Sequence, residues 1–222
     1  MNDNIVCKKY LARATFLVLS TSFLLLGSLL LTSPALAHHP NGGKIPSTFI
    51  EGFLSGLGHP VIGIDHFVFV IAIGLVAALS NKLGMVIPLA FMAATAIGTG
   101  IHLQSINLPL PELFISASVL GIGICLAKEK PTNLVIVTII GAIAGIFHGY
   151  AYGESIVGAE ITALGAYLLG FCSIQLAISV IAFYLGKLII KRPIKSPRLP
   201  LRFAGFAVCG VGFAFLSSAI LG

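Results

Sequence analysis

The chain has 222 residues, of which 57% are hydrophobic and only 9% charged, with no Trp and a formal net charge of +6. Its mean hydropathy is +1.06. A water-soluble globule of this length needs far more polar surface to cover its core, so the composition excludes that class and requires contact with lipid.

The first element is a leader. Lys8, Lys9 and Arg13 precede an apolar run from Thr15 to Leu31, and Pro34 and the small-residue site Ala35-Leu36-Ala37 follow. Basic, apolar and small-x-small regions in this order predict a secretory signal peptide over residues 1–37, cleaved after Ala37. The apolar run is long, so an uncleaved anchor is the alternative. Residues 38–222 then form an all-α membrane domain, with an outer His-containing leader and an interfacial segment over residues 38–58.

Six apolar stretches follow, each near the ~20 residues that cross a hydrocarbon core. They run from Val61 to Ser80, Gly84 to Ile101, Pro111 to Ala127, Thr132 to Tyr150, Ile161 to Gly186 and Phe203 to Gly222. The expected fold is a six-transmembrane-helix bundle. A cleaved signal leaves the new N-terminus outside and, with six spans, the C-terminus too. The loops then placed inside hold nine Lys and Arg (Lys82, Lys128, Lys130 and six from Lys187 to Arg202), against Lys44 alone outside. The positive-inside rule thus gives the same topology: a multi-pass protein of the bacterial inner (plasma) membrane with both mature termini extracytoplasmic. The basic balance belongs to cytoplasmic loops, and no nucleic-acid partner is expected.

This topology collects the imidazoles. His38, His39, His59, His66, His102 and His148 all fall in the outer leader or at outer span ends, with Asp65 and Glu154 on the same side. In "GLGHPVIGIDHFVFVIAIG", Pro60 is read as opening the first span. His59 and His66, seven apart, then share a helix face with Asp65 beside them. Ionisable groups at membrane depth are costly and mark function by default. Neutral imidazole with carboxylate suits Ni²⁺, Co²⁺, Zn²⁺ or Cu²⁺, and no thiol is nearby. The plainer alternative is that Asp65 caps the helix and holds His66. Cys125, Cys172 and Cys209 stand singly in different spans and read as packing residues.

A second stretch, "FHGYAYGE" from Phe147 to Glu154, repeats the six-residue step from histidine to carboxylate on an oppositely directed span. That repetition points to a possible 3+3 inverted repeat. Gly98, Gly100, Gly121, Gly123, Gly141 and Gly145 are expected to let spans two to four pack closely. After cleavage, His39 becomes the second mature residue, where amine, amide and imidazole can chelate Ni²⁺ or Cu²⁺ in a plane. Because ligand histidines must be neutral, binding weakens as pH falls toward about 6.5. No Walker motif is present in the sequence, so ATP coupling within the chain is not expected.

"HPVIGIDH" resembles the H-P-x-x-G-x-D-H signature of the HupE/UreJ family of nickel and cobalt permeases, and "FHGYAYGE" resembles its second signature, F-H-G-x-A-x-G-E. The likeness covers nearly the whole chain. It implies metal-handling roles for His59, Asp65, His66, His148 and Glu154, and a secondary transporter that imports Ni²⁺ or Co²⁺. Those ions are substrates, and no tightly bound cofactor or enzymatic activity is expected. Many members have a second histidine where this chain has Tyr152, which removes one possible ligand. The second-position His39 is similar to that of the cobalt-uptake components of energy-coupling transporters. Three other classes compete with a permease: an intramembrane zinc hydrolase with Glu154 as base, a haem-binding redox subunit, and a non-transporting partner of a metallocentre assembly system.

Overall fold

The structure is a computed structural model and describes residues 44–80, 83–193 and 196–221. The expected signal peptide, His38 and His39 lie outside the described residues. Within them the chain forms seven α-helices.

Helix α1 (Phe49–Ile62) starts where the Thr48 hydroxyl accepts the Glu51 N–H at 3.2 Å. The Glu51 carboxylate in turn accepts from Ser47 N and Oγ at 2.9 and 3.0 Å, a variant of the capping box. The expected interfacial segment is therefore helical. It lies along a later helix, with Phe49, Ile50 and Leu54 left on the outside.

The first predicted span is broken. α1 ends at Gly63, and α2 (Ile64–Leu79) leaves it at a bend of 81°. Pro60 does not open a helix; it lies near the end of α1, where its missing N–H and ring disfavour continuation. His59 and His66 consequently sit on two helices, not on one face of a single helix. A Cβ on Gly63 would come within 2.6 Å of the His66 ring, so a larger residue there would displace that ring.

The remaining helices are α3 (Val86–Leu103), α4 (Pro111–Ala127), α5 (Leu134–Glu154), α6 (Ile161–Ile190) and α7 (Leu199–Leu221). By length and composition, α3, α5, α6 and α7 can each cross a membrane, the bent pair α1–α2 meets the same test together, and α4 is a shorter apolar helix. α2 is the central element. Its Phe69, Val70, Ala72, Ile73, Val76 and Ala77 are buried against Phe91, Val119, Ile122 and Leu126. Around it the most extensive contacts pair α3 with α5, α4 with α7, and α1 with α6.

Backbones approach closely within those pairs. A Cβ on Gly149 would strike the Thr95 carbonyl, one on Gly98 the Ile146 carbonyl, and one on Gly205 the backbone of Ala127. Gly123 and Gly145 are similarly tight, and Gly141 faces Ile73 and Ile87. Gly100 and Gly121 have nothing within 4 Å, so they do not serve the packing expected of them. The outward faces are apolar too, with Ile97, Ile143, Ile181, Leu188 and Phe213 all exposed. An apolar exterior on this scale is what lipid covers.

The two ends of the bundle differ chemically. Where α2 and α4 end, Lys187 Nζ donates to the Ser80 carbonyl at 2.9 Å and Arg202 Nε to the Ala127 carbonyl at 3.0 Å. These cations satisfy C-terminal helix carbonyls. The histidines gather at the opposite end.

Candidate functional site

The bend at Gly63 brings the two signature stretches together. His66, in the first turn of α2, meets His148, near the end of α5, with their Nδ1 atoms 2.7 Å apart. His148 is 0% exposed, enclosed by Phe69 and Phe91 at ring-centroid distances of 4.5 and 5.6 Å. Ser118 of α4 donates to the Ile115 carbonyl at 2.6 Å, and its Oγ lies 2.9 Å from His148 Nε2. A hydroxyl has one hydrogen, so Ser118 accepts from His148 Nε2–H. His148 Nδ1 then faces the Nδ1–H of a neutral His66 ring. That neutral form is the one that ligates metals.

His59, on α1, is held by a second network. Its Nδ1 lies 3.0 Å from Ser155 Oγ and 3.1 Å from the Tyr167 hydroxyl. Both hydroxyls donate to the Tyr152 carbonyl, at 3.1 and 2.8 Å. With both hydroxyl hydrogens so engaged, His59 Nδ1 is the donor to this pair. The His59 and His66 rings are 6.1 Å apart.

Tyr152 lies between them. Its ring centroid is 5.0 Å from that of His59 and 4.7 Å from that of His66. The side chain is fully buried and its hydroxyl has no hydrogen-bond partner. The sequence had read this position as a ligand lost; the structure places there a buried phenol whose hydroxyl is left without a hydrogen bond.

The other expected residues are placed differently. Asp65 is buried in the first turn of α2, and its Oδ1 accepts the N–H of the adjacent His66 at 2.9 Å; the N-cap is Gly63, which has no side chain to cap the helix as Asp65 was considered to do from sequence. His102, in the last turn of α3, packs on Tyr150 at 4.4 Å, and its buried Nδ1 has no hydrogen-bond partner. Glu154, the last residue of α5, is exposed. Among the described residues, no three His, Cys, Asp or Glu side chains are arranged to hold an ion. The structure instead gives a buried imidazole pair, a third imidazole one ring away, and a phenol between. Tyr167, Ser118 and Ser155 have no motif to announce them; their only sequence signal is a hydroxyl within or just beyond an apolar span.

A family profile described as HupE / UreJ protein matches residues 24–215, most of the chain. The chain belongs to the HupE/UreJ family. Among curated proteins, HupE of Rhizobium leguminosarum bv. viciae is 29% identical over 187 residues, which cover 84% of this chain and 93% of that protein. No solved structure matches. HupE/UreJ proteins are transport and accessory proteins, not enzymes, so the hydrolase alternative falls away.

Proposed function

We propose that this HupE/UreJ member is a permease that carries Ni²⁺ or Co²⁺ inward across the bacterial inner membrane. One observation supports this above the others: the buried His66–His148 contact joins the two signature stretches, 82 residues apart, at a break between helices. Broken helices deep in a bundle are how transporters build ion sites. In this reading α1–α2 forms one bent span and α4 another, which gives six spans with the histidine end outward and the Lys187–Arg202 end inward. The 3+3 repeat belongs to the same reading.

His38 and His39, freed by signal cleavage, collect the ion at the outer surface, and His102 and Glu154 lie on its approach. His59 and His66 then take it as neutral imidazoles, with Tyr152 as oxygen donor. His148 holds His66 in the ligating form, and Asp65 offsets the ion's charge beside them. Release inward requires the bundle to rock about the bend.

The test is accumulation of labelled Ni²⁺ and Co²⁺ by cells expressing the chain, each ion competed by the other. Asp65→Ala and His66→Ala are expected to abolish accumulation while the protein still inserts at wild-type level. Normal accumulation by both variants at equal expression would end the proposal. Flux into proteoliposomes separates transport from delivery of metal to an assembly partner.

A further inference from the structure

The buried face of α6 carries a polar series that leads away from the histidines. Tyr167, Phe171, Gln175 and Ser179 follow at four-residue intervals and are all buried, so they stack along one face. Tyr167 touches His59, and Phe171 packs on Tyr152 at 5.5 Å between ring centroids. At the other end of the series Ser179 Oγ reaches the Val70 carbonyl of α2 at 3.5 Å, and Ala182 lies against Gly74. Gln175 sits between the histidine cluster and this α2–α6 contact. At a rise of about 1.5 Å per residue it is roughly 12 Å along α6 from Tyr167 and about 18 Å from Lys187, deep from either end.

Gln175 is 1% exposed, and neither its Nε2 nor its Oε1 has a hydrogen-bond partner. A glutamine that joins membrane helices does so by bonding across the contact, and this one bonds nothing in the protein. A dry, unpaired amide is worse for stability than leucine, which has similar volume and no polar atoms. Both ends of the amide need a small polar species. Water serves donor and acceptor alike, and the amide oxygen is a hard donor of the kind that takes a cation with part of its water shell.

We propose that Gln175 marks a second site, separate from the histidine cluster, which holds water and takes a partly hydrated divalent cation through its amide oxygen on the inward path. The identity of the cation rests on the permease reading; the hydration of the site does not.

Two measurements on the full chain in proteoliposomes test this. Single cysteines are placed at Gln175 and, as a control in the dry α2–α6 contact, at Ala182, with Cys7, Cys125, Cys172 and Cys209 replaced by alanine. Silver ion is the probe, read by the thiol left for maleimide after denaturation. Gln175→Cys is expected to react at least tenfold faster than Ala182→Cys, and saturating Ni²⁺ or Co²⁺ to slow it by a similar factor. Gln175→Leu is expected to lower maximal uptake at least tenfold with half-saturating concentration within twofold, because the outer site is intact.

Equal, slow silver reaction at both positions overturns the inference, as does unchanged uptake by Gln175→Leu. Wild-type liposomes that take up neither ion, with Gln175→Cys still reactive, would refute the permease reading and leave the hydrated site standing. Uptake by the wild type with an unreactive Gln175→Cys would refute only the site.

Discussion

Two buried tyrosines near the histidines do opposite work. The Tyr167 hydroxyl meets Ser155, His59 and the Tyr152 carbonyl, whereas the Tyr152 hydroxyl has no hydrogen-bond partner. Removing an oxygen that has partners leaves them unsatisfied, while removing an orphaned one is neutral or stabilising. Tyr167→Phe is therefore expected to cost about 1–3 kcal/mol, and Tyr152→Phe nothing, in thermal unfolding of the detergent-solubilised protein. If Tyr152 donates its oxygen to the ion, Tyr152→Phe also weakens Co²⁺ binding by at least about tenfold, or about 1.4 kcal/mol. Equal titrations for wild type and variant would exclude that role. His59, Asp65, His66 and His148 were all legible from their residue types in an apolar context. Tyr152 read only as a missing histidine, because its value lies in what surrounds the hydroxyl.

Between elements, the decisive feature is close backbone approach. The α3–α5 seam places Gly149 on the Thr95 carbonyl, and Thr99 Oγ1 donates to the Gly149 carbonyl at 2.8 Å across it. A methyl group there must push the helices apart, with the overpacking cost of about 1–3 kcal/mol. Gly149→Ala is thus expected to lower the melting temperature clearly. Gly100→Ala, whose Cβ would enter open space, should leave it unchanged or raise it. Similar losses from both substitutions would contradict the packing assigned to this seam. The boundaries of α4 were readable because Pro111 and the Lys128–Lys130 segment punctuate it. The break in the first span was not, because hydropathy is the same for a straight helix and for one bent at Gly63. Pro60 then reads as naturally for a helix start as for a helix end.

At the scale of the molecule, the bundle joins a histidine end to a basic end through an apolar exterior. On the permease reading proposed above, entry of a divalent ion moves charge across the membrane. Membrane potential contributes about 2.3 kcal/mol per elementary charge for each 100 mV, and twice that for a divalent ion. An inside-negative potassium diffusion potential across proteoliposomes is therefore expected to speed initial Ni²⁺ or Co²⁺ entry, and valinomycin in equal potassium to remove the gain. A rate indifferent to potential would rule out electrogenic entry. By itself the sequence determined that the chain enters a membrane, where its cations cluster and which ionisable residues stand in apolar stretches. Those properties are local sums of side-chain transfer energy and charge, and they do not depend on how helices meet. Only the tertiary structure decided that His66 faces His148 while Glu154 and His102 stand aside, that the Tyr152 ring packs on two imidazoles, and that Gln175 lies buried and unpaired among helices. Contacts between residues 82 or more positions apart depend on the bend at Gly63 and on glycine-lined helix crossings, whose geometry no run of hydropathy encodes.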